Sequence, residues 1–262
     1  MKAMKWINTA AFAAMIAVNA LAELLPIGGN TTGEISAMYP NLFTPAPVTF
    51  AIWGVIYLLL ALFIAYQWEV FDKGEHSAGV REAIGPWFAV SCFLNIAWIF
   101  AWHFNAIGLS TLCIFALLLS LVIIRQNITD MGGTLFKREL GRAGFDLYFG
   151  WIIAASIANV CVQLTKMGWM GWGFSAELWT VVMLLVGAGI GTATIVIGRS
   201  RIAGLSIIWA YIGILIRHIS PAGFAAAYPL ALTTAIVGAV VMTNAVTVVT
   251  CRRMWAAEMC RV

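Results

Sequence analysis

Residues 48–68 read VTFAIWGVIYLLLALFIAYQW, a run that contains no charged side chain. A helix of about 20 apolar residues is long enough to cross the hydrocarbon core of a bilayer. The rest of the chain has the same character, because 62% of its 262 residues are hydrophobic and only 10% are charged. Soluble domains usually carry about 25% charged residues, so this composition predicts an integral membrane protein.

Further apolar segments, separated by polar or turn-rich stretches, lie on both sides of this one. Together the predicted spans are residues 6–25, 48–68, 86–104, 107–124, 146–164, 177–198, 202–218 and 227–249. Only a short region near residues 103–105 separates the third span from the fourth, so these two should form a tight helical hairpin. The segments predict an all-α, polytopic membrane bundle of about eight transmembrane helices.

The basic residues are distributed unevenly between the two sides of such a bundle. If the N-terminus is cytoplasmic, 13 of the 15 Lys and Arg residues fall in cytoplasmic segments, and only Lys166 and Arg217 lie outside. Cytoplasmic loops of membrane proteins carry an excess of Lys and Arg. We therefore expect both termini in the cytoplasm. No organelle-targeting segment is evident, so the expected location is a bacterial inner (plasma) membrane.

The first span has an alternative interpretation. Lys2 and Lys5, an apolar run and the small residues around 20–22 resemble a signal peptide that is removed after export. The apolar character continues through Leu24, Leu25 and Ile27. This continuation favours a helix that is retained in the membrane.

Other classes of function are not expected from this sequence. The net charge of +4 is small and dispersed, so we expect no nucleic-acid partner. The five cysteines show no paired metal-ligand spacing, and disulfide frameworks belong to small secreted domains. No metal cluster, phosphate-binding loop or nucleophile–base arrangement stands out. We therefore expect no enzyme, no metal site and no cofactor, other than a tetrapyrrole as a candidate ligand.

Three predicted helices carry aromatic side chains on one face, because residues three or four apart lie on the same side of a helix. Lipid gains little from an amide, so these faces should point inward and form a pocket for a flat, largely apolar molecule. Tryptophan also concentrates at membrane interfaces, and Asn often bonds to a neighbouring helix, so helix packing is the alternative. The faces are Phe50, Trp53 and Tyr57; Asn95, Trp98 and Trp102; and Tyr148, Trp151, Ala155 and Asn159.

The same three helices carry sequence motifs of a known family. Residues 43–47 read FTPAP and are followed by TFAIWGVIY at 49–57; residues 93–98 read FLNIAW; residues 147–155 read LYFGWIIAA and continue to Asn159. In order and spacing these motifs resemble a loop and the second, third and fifth helices of the tryptophan-rich sensory protein family. That family includes the translocator protein, also called the peripheral benzodiazepine receptor. The resemblance covers roughly residues 7–165.

The resemblance implies a five-helix bundle that binds tetrapyrroles and synthetic aromatic ligands in its interior. Residues 26–47, with Pro45 and Pro47, would form a lid over the pocket. Residues 1–170 would be the ligand-binding bundle, and residues 171–262 would add three transmembrane helices and a short cytoplasmic tail. The resemblance and the aromatic faces together give the candidate ligand-binding residues, which are Phe50, Trp53, Tyr57, Asn95, Trp98, Tyr148, Trp151, Ala154 and Asn159.

Departures from the family pattern limit what the resemblance implies. The stretch 42–50 has none of the tryptophans that flank the family's proline pair, and the stretch from Asn159 to Lys166 lacks the Tyr of its sterol-recognition sequence. No sterol role is therefore expected. The segments after about residue 175 have no counterpart in the five-helix family. The chain resembles a longer branch with extra C-terminal helices.

We therefore expect a membrane receptor or sensor that binds a planar apolar-aromatic ligand, with a tetrapyrrole as the candidate that the resemblance implies. A small-molecule transporter and a structural membrane protein without a small ligand are the alternatives. The expected partners are the lipid bilayer and a hydrophobic small molecule, and a homodimer is left open.

Overall fold

In the computed structural model the described residues are 2–25, 27–70, 75–129 and 135–259. Their side chains are described except at 2, 75–78, 129, 135–141 and 256–259. Within these ranges the chain is helical and contains no strand. The predicted all-α fold class is therefore confirmed.

Each predicted span corresponds to a helix, and two short helices lie in the connections. The helices are α1 (Lys2–Leu24), α2 (Thr32–Ala37), α3 (Ile52–Gln67), α4 (Glu75–Ile84), α5 (Trp87–His103), α6 (Ile107–Thr129), α7 (Leu135–Lys166), α8 (Ala176–Val196), α9 (Arg201–Ile219) and α10 (Pro229–Met259). Short 3-10 helices cover Ile27–Gly29, Pro47–Ala51 and Gly171–Gly173.

Among the described residues, seven helical stretches are long and apolar enough to cross a membrane. These stretches correspond to α1, α3, α6, α7, α8, α9 and α10. The remaining predicted span, α5, is an apolar helix of 17 residues, which at 1.5 Å per residue is about 25 Å long. It forms the predicted hairpin with α6. The chain is a multi-pass integral membrane protein.

Two helices are longer than the apolar segments on which their prediction was based. α7 begins at Leu135 instead of residue 146, and α10 continues to Met259 instead of ending at residue 249. The added turns contain Lys, Arg and Glu, which are good helix formers but do not appear in a search for apolar runs. These charged turns therefore extend the two helices beyond the predicted apolar spans.

Direct contacts between helices position the interior of the bundle. Asn19 of α1 donates from Nδ2 to Oδ1 of Asn95 in α5 over 2.7 Å, and such bonds between helices contribute to membrane-protein packing. α9 lies so close to α7 that a Cβ added at Gly150 would be 2.2 Å from the carbonyl oxygen of Ala203. α9 is therefore in close contact with the helix that carries Trp151.

The two ends of the bundle differ. The start of α1 and the end of α10 lie at one end, where Lys5 pairs with Glu69 at 2.8 Å and Arg142 pairs with Asp146 at 3.1 Å. We call the opposite end the outer end. It is formed by the C-termini of α1, α5, α7 and α9, the N-termini of α6, α8 and α10, and the loops that join them. The pocket described next lies towards this outer end.

Candidate ligand-binding pocket

Four aromatic side chains from three helices converge inside the bundle. The ring centroid of Trp53 in α3 lies 6.4 Å from that of Trp98 in α5 and 6.1 Å from that of Trp151 in α7. Phe50, in the 3-10 helix before α3, lies 6.0 Å from Trp151 in an edge-to-face arrangement. These spacings fall within the range of favourable aromatic contacts. The predicted aromatic faces of the three helices therefore do point towards one another.

These rings enclose a cavity that we call the inner pocket. Its empty volume is about 600 Å³ including its open mouth, but only about 50 Å³ of it is accessible to water. The difference means that the pocket is a narrow slot between closely spaced side chains. Its wall consists of Thr32, Ser36, Phe43, Pro45, Phe50, Trp53, Trp98, Trp102, Trp151, Ala154, Ala155, Ala158, Asn159, Val162, Ala210 and Ile214.

Most of the candidate residues chosen from the sequence lie in this wall. Those that do are Pro45, Phe50, Trp53, Trp98, Trp151, Ala154 and Asn159. Four others, Tyr57, Asn95, Tyr148 and Pro47, are not among the residues that line the cavity. Pro47 is exposed and begins the 3-10 helix that leads into α3. The role of each residue in ligand binding stays a prediction.

Tyr57, Asn95 and Tyr148 support the wall from behind. Asn95 is fully buried; its Oδ1 accepts from Asn19 and its Nδ2 donates to the hydroxyl of Tyr148 over 2.9 Å. Tyr57 stacks on Trp53 with a centroid separation of 5.4 Å, and Tyr148 contacts the same indole edge-on at 5.7 Å. The three residues therefore fix the orientation of Trp53, and the amide of Asn95 is already used within the protein.

The amide of Asn159 lines the pocket but is also bonded to its neighbours. Its Oδ1 accepts from the indole N–H of Trp98 over 2.9 Å, and its Nδ2 donates to Thr111 over 2.9 Å and to Ser110 over 3.0 Å. A buried polar group costs free energy unless it is hydrogen-bonded. The amide thus joins α5, α6 and α7 and holds the indole of Trp98 in one orientation.

The indole N–H of Trp151 is different. Within the described part of the chain it is buried and has no hydrogen-bond partner. A buried donor without an acceptor costs about 1–3 kcal/mol. Trp151 also lines the inner pocket, so this unpaired donor belongs to a residue of the pocket wall.

The loop between α1 and α3, for which the sequence predicts the role of a lid, contributes four residues to the pocket wall: Thr32, Ser36, Phe43 and Pro45. It contains α2, whose N-terminus has a capping box: the backbone N–H of Thr31 donates to the Glu34 carboxylate over 2.7 Å, and the Glu34 N–H donates to the Thr31 hydroxyl over 3.3 Å. The bonds from the Thr31 backbone and side chain hold the pKa of the Glu34 carboxyl below its ordinary value. α2 then places Thr32 and Ser36 in the pocket wall.

α9 fastens the other half of the lid. His218 donates from Nε2 to the carbonyl of Leu42 over 2.9 Å, and the N–H of Ala46 donates to the carbonyl of Gly213 over 2.9 Å. The indole of Trp209 donates to the carbonyl of Thr49 over 2.9 Å. The lid is therefore held by a helix that the motif resemblance does not include.

Several wall residues were missed from the sequence. Ala210 and Ile214 of α9 lie in the wall but have no distinguishing chemistry in an apolar helix. A glycine within this helix, Gly213, was a weak sequence signal of a close contact. A Cβ there would lie 1.9 Å from the Thr49 hydroxyl, so the close approach requires glycine. Trp102 was placed on the aromatic face but not chosen as a candidate; its indole donates to the Thr32 carbonyl over 3.1 Å.

Comparison of the chain with known proteins identifies its family. No curated protein and no solved structure shows a match to the chain. The family model described as TSPO-like protein matches residues 5–248. This match extends from α1 into α10 and includes helices that the sequence motifs, which end near residue 165, do not reach. Because it covers most of the chain, the protein belongs to the TSPO-like protein family.

Proposed function

We propose that the protein is a membrane receptor or sensor that binds a planar, largely apolar aromatic molecule in the inner pocket. A tetrapyrrole is the first candidate because of the family to which the chain belongs. The observation that carries the proposal is the convergence of Trp53, Trp98 and Trp151 on one slot, with the N–H of Trp151 left without an acceptor. We propose no catalytic role for these residues.

The shape of the slot supports a flat ligand. The Trp53 indole lies 6.4 Å from Trp98 in a tilted arrangement and 6.1 Å from Trp151 in an edge-to-face arrangement. If these rings separate, a planar molecule between them would gain aromatic contacts on several sides. Small-molecule pockets are mostly apolar and contain a few placed polar groups. Here the polar residues in the wall are Thr32, Ser36 and Asn159, with the indoles of Trp53, Trp98, Trp102 and Trp151.

Binding a macrocycle requires the pocket to open. The water-accessible space of about 50 Å³ holds only a few water molecules. The lid must therefore move, or the rings must separate, before a tetrapyrrole can occupy the slot. The hydrogen bonds of the lid to α9, from His218 to the Leu42 carbonyl and from Ala46 to the Gly213 carbonyl, are the contacts that movement of the lid would break.

The test is a titration of the purified protein in detergent with a tetrapyrrole panel that includes protoporphyrin IX. Binding is measured from the absorbance of the ligand, since twelve tryptophans make fluorescence quenching unspecific. We expect Trp53→Ala to weaken binding at least tenfold through lost stacking. Trp151→Phe keeps a ring but removes the N–H, and the loss of one hydrogen bond, about 0.5–1.5 kcal/mol, corresponds to up to about tenfold.

The matched control is Trp255→Phe. Trp255 is 73% exposed and lies in α10, near the end of the bundle that carries the termini, so its replacement should leave the dissociation constant unchanged. Equal binding by the wild type and both pocket variants, or equal losses in the control, would contradict the proposal.

Transport is the second candidate function. Phe43 lines the inner pocket and also a second cavity that opens at the outer end, so movement of this side chain would connect the two cavities and start a path for the ligand. Ligand flux into proteoliposomes, compared with equilibrium binding to the same preparation, separates transport from sensing. Binding without flux would support the receptor.

We further propose that both termini face the cytoplasm of a bacterial inner membrane. The support is the concentration of Lys and Arg in the segments on the terminal side of the bundle, as the positive-inside rule requires. A C-terminal alkaline phosphatase fusion should then be inactive and a C-terminal fluorescent protein fusion should be bright. The reverse result would place the outer end in the cytoplasm.

A further inference from the structure

A second cavity, larger than the inner pocket, lies at the outer end of the bundle. It is bounded by the lid, the end of α7, the start of α8 and the loop before α10, and we call it the vestibule. About 440 Å³ of it is accessible to water, within the usual range for small-molecule sites. Its wall consists of Pro40, Asn41, Leu42, Phe43, Cys161, Leu164, Thr165, Trp169, Met170, Gly171, Phe174, Ala176, Trp179, Thr180, Met183, Phe224 and Tyr228.

The wall of the vestibule is dominated by aromatic rings from separate parts of the chain. The centroids of Trp169 and Trp179 are 4.7 Å apart, and those of Phe224 and Tyr228 are 5.6 Å apart. The Trp179 indole donates to the carbonyl of Gly171 over 2.7 Å, which fixes the ring at the start of α8. These rings are held in place before any ligand binds.

The polar groups in the wall are uncharged. Among the residues that the structure describes, no Asp, Glu, Lys, Arg or His lines the vestibule. The Asn41 amide is bonded to the lid backbone, and the hydroxyls of Thr165 and Thr180 donate to carbonyls within their own helices. A charged ligand would therefore lose its hydration without gaining an ionic partner from the wall.

We propose that the vestibule is a second binding site, for an uncharged aromatic small molecule. The volume admits a molecule of one or a few fused rings, the aromatic walls provide stacking surfaces, and the lack of charge in the wall selects against ionised compounds. The proposal does not depend on occupancy of the inner pocket, because the vestibule has its own walls and shares Phe43 and no other lining residue with that pocket.

The probe is 5-fluoroindole, a neutral aromatic molecule whose 19F resonance reports binding directly. The full-length protein is placed in phosphatidylcholine nanodiscs, and empty nanodiscs measure partition of the probe into lipid. We expect saturable broadening and a shift of the resonance in the presence of protein, beyond the linear effect of empty nanodiscs.

Two substitutions fill the vestibule without disturbing the core. Thr165 and Ala176 line the cavity and are exposed, so Thr165→Trp and Ala176→Trp place an indole in the space with little repacking. Each should weaken binding of the probe at least tenfold. Met167→Trp is the matched control, because Met167 is 70% exposed at the same end and lines neither cavity; its affinity should stay within twofold of the wild type.

A comparison with Trp53→Ala separates the two cavities. If 5-fluoroindole occupies the vestibule, this variant keeps its affinity for the probe even if it loses affinity for a tetrapyrrole. Broadening that never saturates overturns the proposal, as does full affinity in both cavity-filling variants. Loss of binding in Trp53→Ala alone would also overturn it, because the probe would then occupy the inner pocket.

Discussion

The inner pocket and the vestibule lie on opposite sides of Phe43 but are built in different ways. Long helices form most of the wall of the inner pocket. The Asn159 amide in this wall and the Asn95 amide behind it are both hydrogen-bonded between helices. Only about 50 Å³ of it is open to water. The vestibule is formed by helix ends and loops, and about 440 Å³ of it is open to water.

This difference shows what the last three helices contribute. α9 is hydrogen-bonded to the lid through His218 and Gly213 and contributes Ala210 and Ile214 to the inner pocket. α8 and the loop before α10 supply Trp179 and Tyr228 to the vestibule. One set of extra helices therefore closes one cavity and creates another.

The largest effect is expected from Phe43→Ala, which removes the side chain shared by both cavities. Phe43 is 3% exposed, and truncation of a buried Phe to Ala typically costs about 3–5 kcal/mol. We expect a corresponding loss of stability in thermal or SDS unfolding of the purified protein. The two cavities should also become continuous, so that tetrapyrrole association becomes faster in stopped-flow measurements.

The control for this prediction is Phe43→Leu. A leucine retains most of the buried volume, so stability should fall by much less and association rates should remain close to those of the wild type. If Phe43→Ala is as stable as the wild type and binds ligand at the same rate, Phe43 does not separate the two cavities.

The two cavities also differ in how far the sequence predicts them. The apolar segments predicted every long helix, because a lipid-facing helix must be apolar over about 20 residues. The spacing of the aromatic residues within each of α3, α5 and α7 predicted that Trp53, Trp98 and Trp151 point inward, because residues three or four apart share a helix face. This reasoning could not separate Asn95, which packs behind the wall, from Asn159, which lines it.

The vestibule was not predicted because no local pattern encodes it. Phe43 in the lid, Trp179 in α8 and Tyr228 in the loop before α10 are 136 and 49 residues apart along the chain, and only tertiary packing brings them together. Trp169 and Trp172 likewise both contact Trp179 in a cluster at the outer end. For α2, which lies in the lid, the sequence did contain a signal: Thr31 and Glu34 have the spacing of a capping box, which marks the start of a helix.

A smaller effect than that of Phe43→Ala is expected from Gly150→Ala, which acts on the inner pocket and not on the vestibule. The new methyl group would lie 2.2 Å from the carbonyl oxygen of Ala203, so α9 must move away from α7. Overpacking of this kind typically costs about 1–3 kcal/mol, and contact with backbone favours the upper end. Unfolding measurements should show this loss, and binding in the inner pocket should weaken because Ala210 and Ile214 move with α9.

Gly189→Ala is the matched control for the same chemical change. Gly189 is exposed on α8, and a Cβ there meets nothing within 4 Å. Alanine is the better helix former by about 1 kcal/mol, so stability should be unchanged or slightly raised. Equal destabilisation by both substitutions would show that the close approach of α7 and α9 is not what Gly150 permits.

The smallest effect is expected from acidification, and it should be confined to the lid over the inner pocket. Hydrogen bonds from Thr31 lower the pKa of Glu34 in the folded protein, so the ionised carboxylate stabilises α2. This contribution is fully present above the ordinary pKa of Glu, about 4.3, and is lost as the pH falls through the lowered value. Hydrogen exchange at residues 32–37, corrected for intrinsic rates, should therefore lose protection at acid pH.

Glu34→Gln distinguishes this titration from general acid destabilisation. A glutamine can still accept the bond from the Thr31 backbone and complete the capping box, but it does not ionise. In this variant the protection of residues 32–37 should be lower at neutral pH and should no longer change with pH. Peptides from α8 at the edge of the vestibule should be insensitive to pH in both proteins; if they lose protection together with α2, acid loosens the whole outer end and the effect does not arise at Glu34.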